Sequence, residues 1–424
     1  MRKSVVPILF FLILTLLCGC FSTREMVENP IVTDTSASIA DKMDALGFSR
    51  ASIRNMEAFF DGPDWVDCVV ELVENAQDYV IIASFLVSEC EENEVVYDLL
   101  CKRAEEGLRI YFIYDSAAAM DMTASRFHMK PVNRLAASGV HVLEYNPFSI
   151  NRLPKLAGML LREHRKFYII DGKTVAVGGM NLNYISNRSS LDDGQRDTMF
   201  CFESESAAKV LLQDFVDFWN TYSWDEVSLE DFYVPEEPQV EDAYQVWVIN
   251  QYDDNKHMAA VFGSMLYSAK EEMLILPLLP MENADTRKAI SDAVERGVEV
   301  QMILPNDPRA SVYRGAHYSV SFLMETGMSI YPEPNTEERK NLLHEKTFIV
   351  DGEYVLIGSA NFNYRSLRLS NEIGIMIHSP EFAQFMTEHY MTIKDGCEPL
   401  TPEQAEQWHK ITWIFDFLVH FIMG

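Results

Sequence analysis

The chain has 424 residues, 48% of them hydrophobic, which suits two globular domains with their own cores and excludes a wholly disordered chain. Its 35 Lys and Arg against 64 Asp and Glu leave a formal charge of −29. That balance repels polyanions at long range and argues against a nucleic-acid partner.

At the N-terminus, Arg2 and Lys3 precede an apolar run from Val5 to Leu17 that ends in "LLCGC". The run is shorter than the ~20 residues a membrane-crossing helix needs. It resembles a bacterial lipoprotein signal, in which residues 1–19 are removed and Cys20 is lipidated. The alternative is an ordinary secretory signal cut nearby; either exports the body of the protein, and the lipoprotein reading anchors it to a bacterial membrane on the periplasmic or cell-surface side. Residues 20–55, polar and rich in Ser and Thr, read as a tether. Cys68, Cys90, Cys101, Cys201 and Cys397 are odd in number and without CxxC spacing, so no metal and no cofactor is assigned to them.

Two similar halves follow, 56–238 and 239–395. "ENAQDYVIIASFLV" and "YSAKEEMLILPLLP" each end a polar helix and enter a short apolar strand. "YDLLCKRAEEGLRIYFIYD" and "TRKAISDAVERGVEVQMILP" read as amphipathic helices stopped by Gly107 or Gly297 and followed by a strand. "LAASGVHVLEYNP" and "LMETGMSIYPEP" repeat that order around Gly139 and Gly327. Each half therefore runs βαβαβ, which predicts an α/β fold with a mixed sheet flanked by helices. The halves meet in the Pro- and acid-rich "VPEEPQVEDAYQ". In the tail, 396–424, "WHKITWIFDFLVHFIMG" predicts an apolar helix that either lies in a bilayer interface or closes over the protein.

Inside each half stands one further string, "LLREHRKFYIIDGKTVAVGGMNLNY" from Leu160 and "LLHEKTFIVDGEYVLIGSANFNY" from Leu342. In an extended strand His164 and Lys166 share a face, as do His344 and Lys346, and an imidazole beside an ammonium suits a phosphate. Asp171-Gly172 and Asp351-Gly352 are strong hairpin signals. A two-residue turn would set His164 opposite Gly179 and His344 opposite Ser359, small residues that leave room for a ligand, with Asn181 and Asn361 near enough to donate to it. Asp171 and Asp351 lie roughly 16 Å along the strand from Lys166 and Lys346, so they read as turn formers. Carboxylates to orient the imidazoles are supplied by Asp197 and Glu372, each at the start of a strand; Asp192 and Asp193, in a Gly-containing turn, rank below Asp197.

The doubled HxKxxxxD, each followed by GGMN or GSAN, resembles the phospholipase D superfamily over roughly Glu74 to Ser379. That resemblance implies two similar domains about a pseudo-twofold axis, sharing one active site in a monomer. It implies that one imidazole attacks phosphorus to form a phosphohistidine while the other acts as acid and base, His164 and His344 in that order or the reverse. Lys166, Lys346, Asn181 and Asn361 would bind phosphate oxygens, Asp197 and Glu372 would orient the rings, and no metal would be required.

"VLEYNPFSINRLPKLAGMLLREHRK", "RDTMF" and "NYRSLRLSNE" resemble the bacterial cardiolipin synthase branch. This implies a phosphatidyltransferase that moves a phosphatidyl group between phospholipid and alcohol, with anionic phosphatidylglycerol as a candidate. Arg152, Lys155 and Arg162 suit an anionic headgroup, though a solvated helix face explains them equally well. A phospholipase D that releases phosphatidic acid, a nuclease and a non-catalytic phospholipid-binding lipoprotein are the alternatives.

Overall fold

A computed structural model describes residues 27–28, 30–120, 130–147, 161–252, 255–278, 280–281, 283–306 and 310–423. The expected signal over 1–19, Cys20, Arg152 and Lys155 lie outside the described residues. No helix among the described residues is long and apolar enough to cross a membrane.

The strands are β1 (Val27–Glu28), β2 (Ser49–Phe59), β3 (Tyr79–Ser84), β4 (Arg109–Asp115), β5 (His141–Tyr145), β6 (Phe167–Ile170), β7 (Thr174–Gly178) and β8 (Met199–Glu203). The second half adds β9 (Tyr244–Gln251), β10 (Asn255–Lys256), β11 (Glu272–Leu276), β12 (Glu299–Leu304), β13 (Ser329–Pro332), β14 (Thr347–Val350), β15 (Tyr354–Gly358) and β16 (Glu372–His378). Fourteen of them form one sheet in the order β13-β12-β11-β14-β15-β16-β9-β2-β8-β7-β6-β3-β4-β5. Read outward from its centre, each side repeats the other, and the antiparallel pairing of β2 with β9 makes the relation twofold. The parallel run β3, β4, β5 comes from the predicted βαβαβ order, and the antiparallel β6, β7, β8 come from the hairpin strings.

Both faces of the sheet are covered, so its strands are buried on both sides. Along β3, Tyr79, Ile81 and Ala83 face one core while Val80 and Ile82 face another. The first core is continuous across the halves and is closed by helices Glu205–Tyr222 and Pro380–Lys394, through Phe215, Trp219, Phe382 and Tyr390. On the opposite face each half has its own core, with Trp65 in the first and Trp247 in the second. Full burial of side chains this size is worth roughly 1.5–3 kcal/mol each, so neither face can open cheaply.

Three expectations are corrected. The expected tether of 20–55 does not hold over its second half: Ser38 caps helix Ile39–Ala45 with Asp41 in a capping box, Ile39 and Met43 enter the second half's core, and β2 begins at Ser49 rather than after 56. A polar composition concealed an i, i+4 apolar pair and a central strand.

The tail is two helices, Pro402–Trp408 and Ile414–Met423, rather than one. The second packs on helix Ala310–Met324, where Arg314 holds Asp416 through two hydrogen bonds of 2.7 and 3.1 Å and Phe417 meets Tyr318. Its outer side stays open, with Phe415 53% exposed.

The hairpins, finally, have three-residue rather than two-residue loops. Ile170 pairs with Thr174 and Val350 with Tyr354, because Lys173 and Glu353 close the turn by bonding back to Ile170 and Val350 and stand as extra residues. Asp171 and Gly172, like Asp351 and Gly352, take positive φ as that tight turn demands.

Candidate active site

The two motif histidines do not sit in regular strand; each lies just before one, at the carboxyl ends of the central parallel strands. Phe167 begins β6 opposite Ala83 in β3, and Thr347 begins β14 opposite Leu276 in β11. What fixes each histidine is backbone from the other half. His164 N–H donates to Asn371 O (3.1 Å) and Asn371 N–H to Arg162 O (2.8 Å); His344 N–H donates to Arg196 O (2.6 Å) and Arg196 N–H to Leu342 O (2.9 Å). These are short parallel bridges across the twofold.

The side chains follow that exchange. Glu372, adjacent to Asn371, takes His164 Nδ1 at 3.0 Å, and Asp197, adjacent to Arg196, takes His344 Nδ1 at 2.5 Å. Both carboxylates are fully buried and both rings are 12% exposed. Each carboxylate thus serves the imidazole of the opposite half. With Nδ1–H given to a carboxylate, the tautomer is set and Nε2 is left for chemistry.

Buried polar side chains support the exchange. Behind His164, Glu163 accepts from Arg165 Nε (2.6 Å) and Nη2 (2.9 Å) and from Asn371 Nδ2 (2.9 Å), so the residues beside His164 and Glu372 are clamped to each other. Arg196 forms a fork with Glu333, at 2.7 and 2.8 Å, beside the second pair.

The expected room opposite the histidines is filled by these carboxylates. A Cβ at Gly179 would lie 2.1 Å from Asp197 Oδ1, so glycine there is the space Asp197 occupies. Its counterpart Ser359 instead donates to Glu372 Oε2 at 2.5 Å. Asp197 receives its comparable donor from Gln195 Nε2, at 3.1 Å, which also lies 3.0 Å from His344 Nδ1. Gln195 went unmarked in the sequence, its only signal being its place two residues before Asp197, and Ser359 was marked only as a small residue that leaves room, not as a donor to Glu372.

Lys166 and Lys346 are buried, and each donates to the carbonyl of its own motif histidine. Lys346 Nζ also lies 3.7 Å from Asp197. Phe85 borders the first motif, with its ring 5.0 Å from that of His164 and 5.2 Å from Lys166 Nζ. Asn181 turns Oδ1 to the N–H of Leu86 (3.1 Å), which leaves its amide N–H groups as donors; Asn361 is equally buried at the matching position. Asp171 lies at the far turn, accepting the N–H groups of Gln77, Asp78 and Tyr79 at 2.7–2.9 Å. Asp351 does the same for Lys270, Glu271 and Glu272.

Burial dominates the electrostatics. It pushes His164 to about 4, against the pull of Glu372, and His344 to about 3, helped by Lys346. Both rings are therefore neutral at neutral pH. Burial likewise lowers Lys166 to about 7 and Lys346 to about 8, with Glu372 and Asp197 respectively opposing the fall. Burial would raise the two carboxyls, but Lys346 and His344 hold Asp197 below its ordinary range, and His164 and Lys166 hold Glu372 there. Lys346 acts on His164 and Lys166 acts on His344, so the two motifs share one field.

Comparison with known proteins agrees with this geometry. A family model described as "Cardiolipin synthase, PLD-like domain" matches residues 69–219 and 263–393, well over half of the chain and once on each half. The chain belongs to that family. Among curated members, it is 26% identical to the "Probable cardiolipin synthase YwiE" of Bacillus subtilis (strain 168), over 82% of this chain and 67% of that protein. It is also 26% identical to the "Cardiolipin synthase" of Listeria monocytogenes serotype 4a (strain HCC23), over 82% and 70%. The fold is shared with the phosphatidylserine synthase of Haemophilus influenzae Rd KW20, with TM-score 0.68 and 15% identity over 91% of this chain and 100% of that one.

Proposed function

We propose that the protein is a phosphatidyltransferase that moves a phosphatidyl group from one phospholipid to an alcohol through a phosphohistidine. The observation that carries this reading is the pair of imidazoles, each held through Nδ1 by a carboxylate of the other half, with two buried lysines beside them. Family membership and the cardiolipin synthases among its relatives support the phospholipid as substrate.

In this mechanism Nε2 of one imidazole attacks phosphorus while the bond to the headgroup oxygen breaks. The other imidazole supplies the proton that oxygen needs. In the second half-reaction the acceptor hydroxyl gives its proton to that same imidazole, its oxygen bonds phosphorus, and the nitrogen–phosphorus bond breaks. Lys166, Lys346, Asn181 and Asn361 hold the nonbridging oxygens as charge shifts among them, and Glu372 and Asp197 stabilise whichever ring is charged. A bound phosphate, being anionic, raises both ring pKa values from their low resting positions and so makes the acid available when substrate is present.

The protein works at a membrane surface, exported and held by a lipidated Cys20, as a monomer whose two halves complete one site. Phosphatidylglycerol is the proposed lipid. The test is to incubate the protein with labelled phosphatidylglycerol, with and without glycerol, beside His164→Ala and His344→Ala. Cardiolipin formed by the wild type and by neither variant is the expected result; phosphatidic acid alone would make it a hydrolase, and no product from any phospholipid would overturn the proposal.

A further inference from the structure

The C-terminal segment is held down on one side and open on the other. Helix Ile414–Met423 lies so close to helix Ala310–Met324 that a Cβ at Gly315 would come within 3.2 Å of Asp416 O. Arg314 pairs with Asp416 at the same crossing, at 2.7 Å. On the inner side Phe417 packs against Leu278, Met281, Val312 and Leu342, and Leu342 stands two residues before His344. The same helix touches helix Tyr364–Arg368, which leads to Glu372. The segment is therefore part of the wall beside the reaction centre, and its outer face has a fixed direction relative to that centre.

That outer face is apolar. Ile411, Ile414 and Phe415 are 73%, 39% and 53% exposed within five positions of the chain. Large apolar side chains scattered singly over a surface call for no explanation; three so close together do. The charge is equally uneven. In a chain with 64 acidic residues among 424, the segment from Trp408 to Gly424 has only Asp416, and Arg314 neutralises it. Lys410 is exposed, with its Nζ 4.5 Å from the centre of the Trp413 ring. Tryptophan, lysine and large apolar side chains with a single, paired acid make up the composition that suits the boundary between lipid headgroups and acyl chains.

We propose that this face of the C-terminal segment docks the protein on a phospholipid bilayer, with Ile411, Ile414 and Phe415 set among the headgroups and upper acyl chains, and so brings the His344 side of the site to its substrate. This rests on the reading of a phospholipid as that substrate. A lipidated Cys20 would bring the protein to a membrane without orienting its body; an apolar face fixed to the body orients it. The net charge of −29 repels an anionic bilayer at long range, so contact falls where carboxylates are fewest and is driven by apolar burial. Ten residues are too few to cross a bilayer, so the helix rests in the interface.

The full chain carrying Cys20→Ser, which removes the proposed anchor, is mixed with vesicles of phosphatidylglycerol and phosphatidylethanolamine whose acyl chains are brominated, and quenching of tryptophan fluorescence is followed. Quenching that is largely lost in Trp413→Phe is the expected result. Ile411→Glu and Phe415→Ser should each need about tenfold more lipid for half the effect, the factor that corresponds to withdrawing one large apolar side chain from the interface. Ile411→Ser, at the most exposed of the three positions, takes the place of any variant that does not fold. No quenching of the parent chain, quenching unchanged in Trp413→Phe, or a lipid requirement within about twofold of the parent in every folded variant would overturn the assignment. Quenching that depends on these residues, beside no turnover of any phospholipid, would support the docking face and sink the phosphatidyl-transfer reading instead.

Discussion

His164 and Glu372 stand 208 positions apart in the chain and 3.0 Å apart in the fold, one on each half of the sheet. Glu372→Gln keeps the shape but removes the charge that orients and supports the imidazole. A loss in kcat of about 10²–10⁴-fold is expected, and the same for Asp197→Asn. Steady-state kinetics on phospholipid micelles checks this, and losses under about tenfold in both would reduce the carboxylates to packing.

Gly179 makes the point sterically. Its missing Cβ is where Asp197 Oδ1 stands, so Gly179→Ala is expected to displace Asp197 and cost as much activity as Asp197→Asn. Ser359→Ala, which deletes a donor to Glu372 and leaves His164 in place, should be much milder in the same assay, since a lost hydrogen bond to a buried group costs about 1–3 kcal/mol.

The motif aspartates should behave differently. Asp171 and Asp351 each gather three backbone N–H groups at the start of β3 or β11, far from the imidazoles. Their alanine variants are expected to lose about 2–4 kcal/mol of stability in urea unfolding while the protein that remains folded keeps its kcat. Full stability with abolished turnover would place them in the chemistry instead.

Burial holds Lys166 near 7 and Lys346 near 8, so their positive charge is present below those values and lost as pH rises through them. Binding of glycerophosphoglycerol, a phosphodiester that stays a monoanion across this range, should weaken by up to about tenfold per pH unit for each charge lost. The imidazoles, near 4 and 3 in the free protein, add to the same fall to the extent that the bound phosphate lifts them into this interval. Calorimetric titration from pH 6 to 9 checks this; flat affinity would contradict the lysines' role.

Much of this was legible in the chain because local spacing encodes it. Alternation put histidine and lysine on one face, Asp-Gly marked the turns, and strand-start carboxylates marked Asp197 and Glu372. Long-range pairing was not legible: nothing local says that Glu372 turns to His164 rather than to His344, since that choice is made by the bridges of Asn371 and Arg196 across the twofold. Nor does a dipeptide reveal the extra residue at Lys173 or Glu353, which shifts register by one, or the pairing of β7 with β8 that puts a carboxylate, rather than a ligand, against Gly179.

The central claim is that two halves build one reaction centre. It is tested by acid-quenching the protein during turnover of acyl-labelled phosphatidylglycerol and counting the phosphatidyl groups bound to histidine. At most one adduct per chain is expected, on His164 or His344 and never both in one molecule, and absent from Glu372→Gln and Asp197→Asn. Two adducts on one chain would contradict it, because each half would then be working alone.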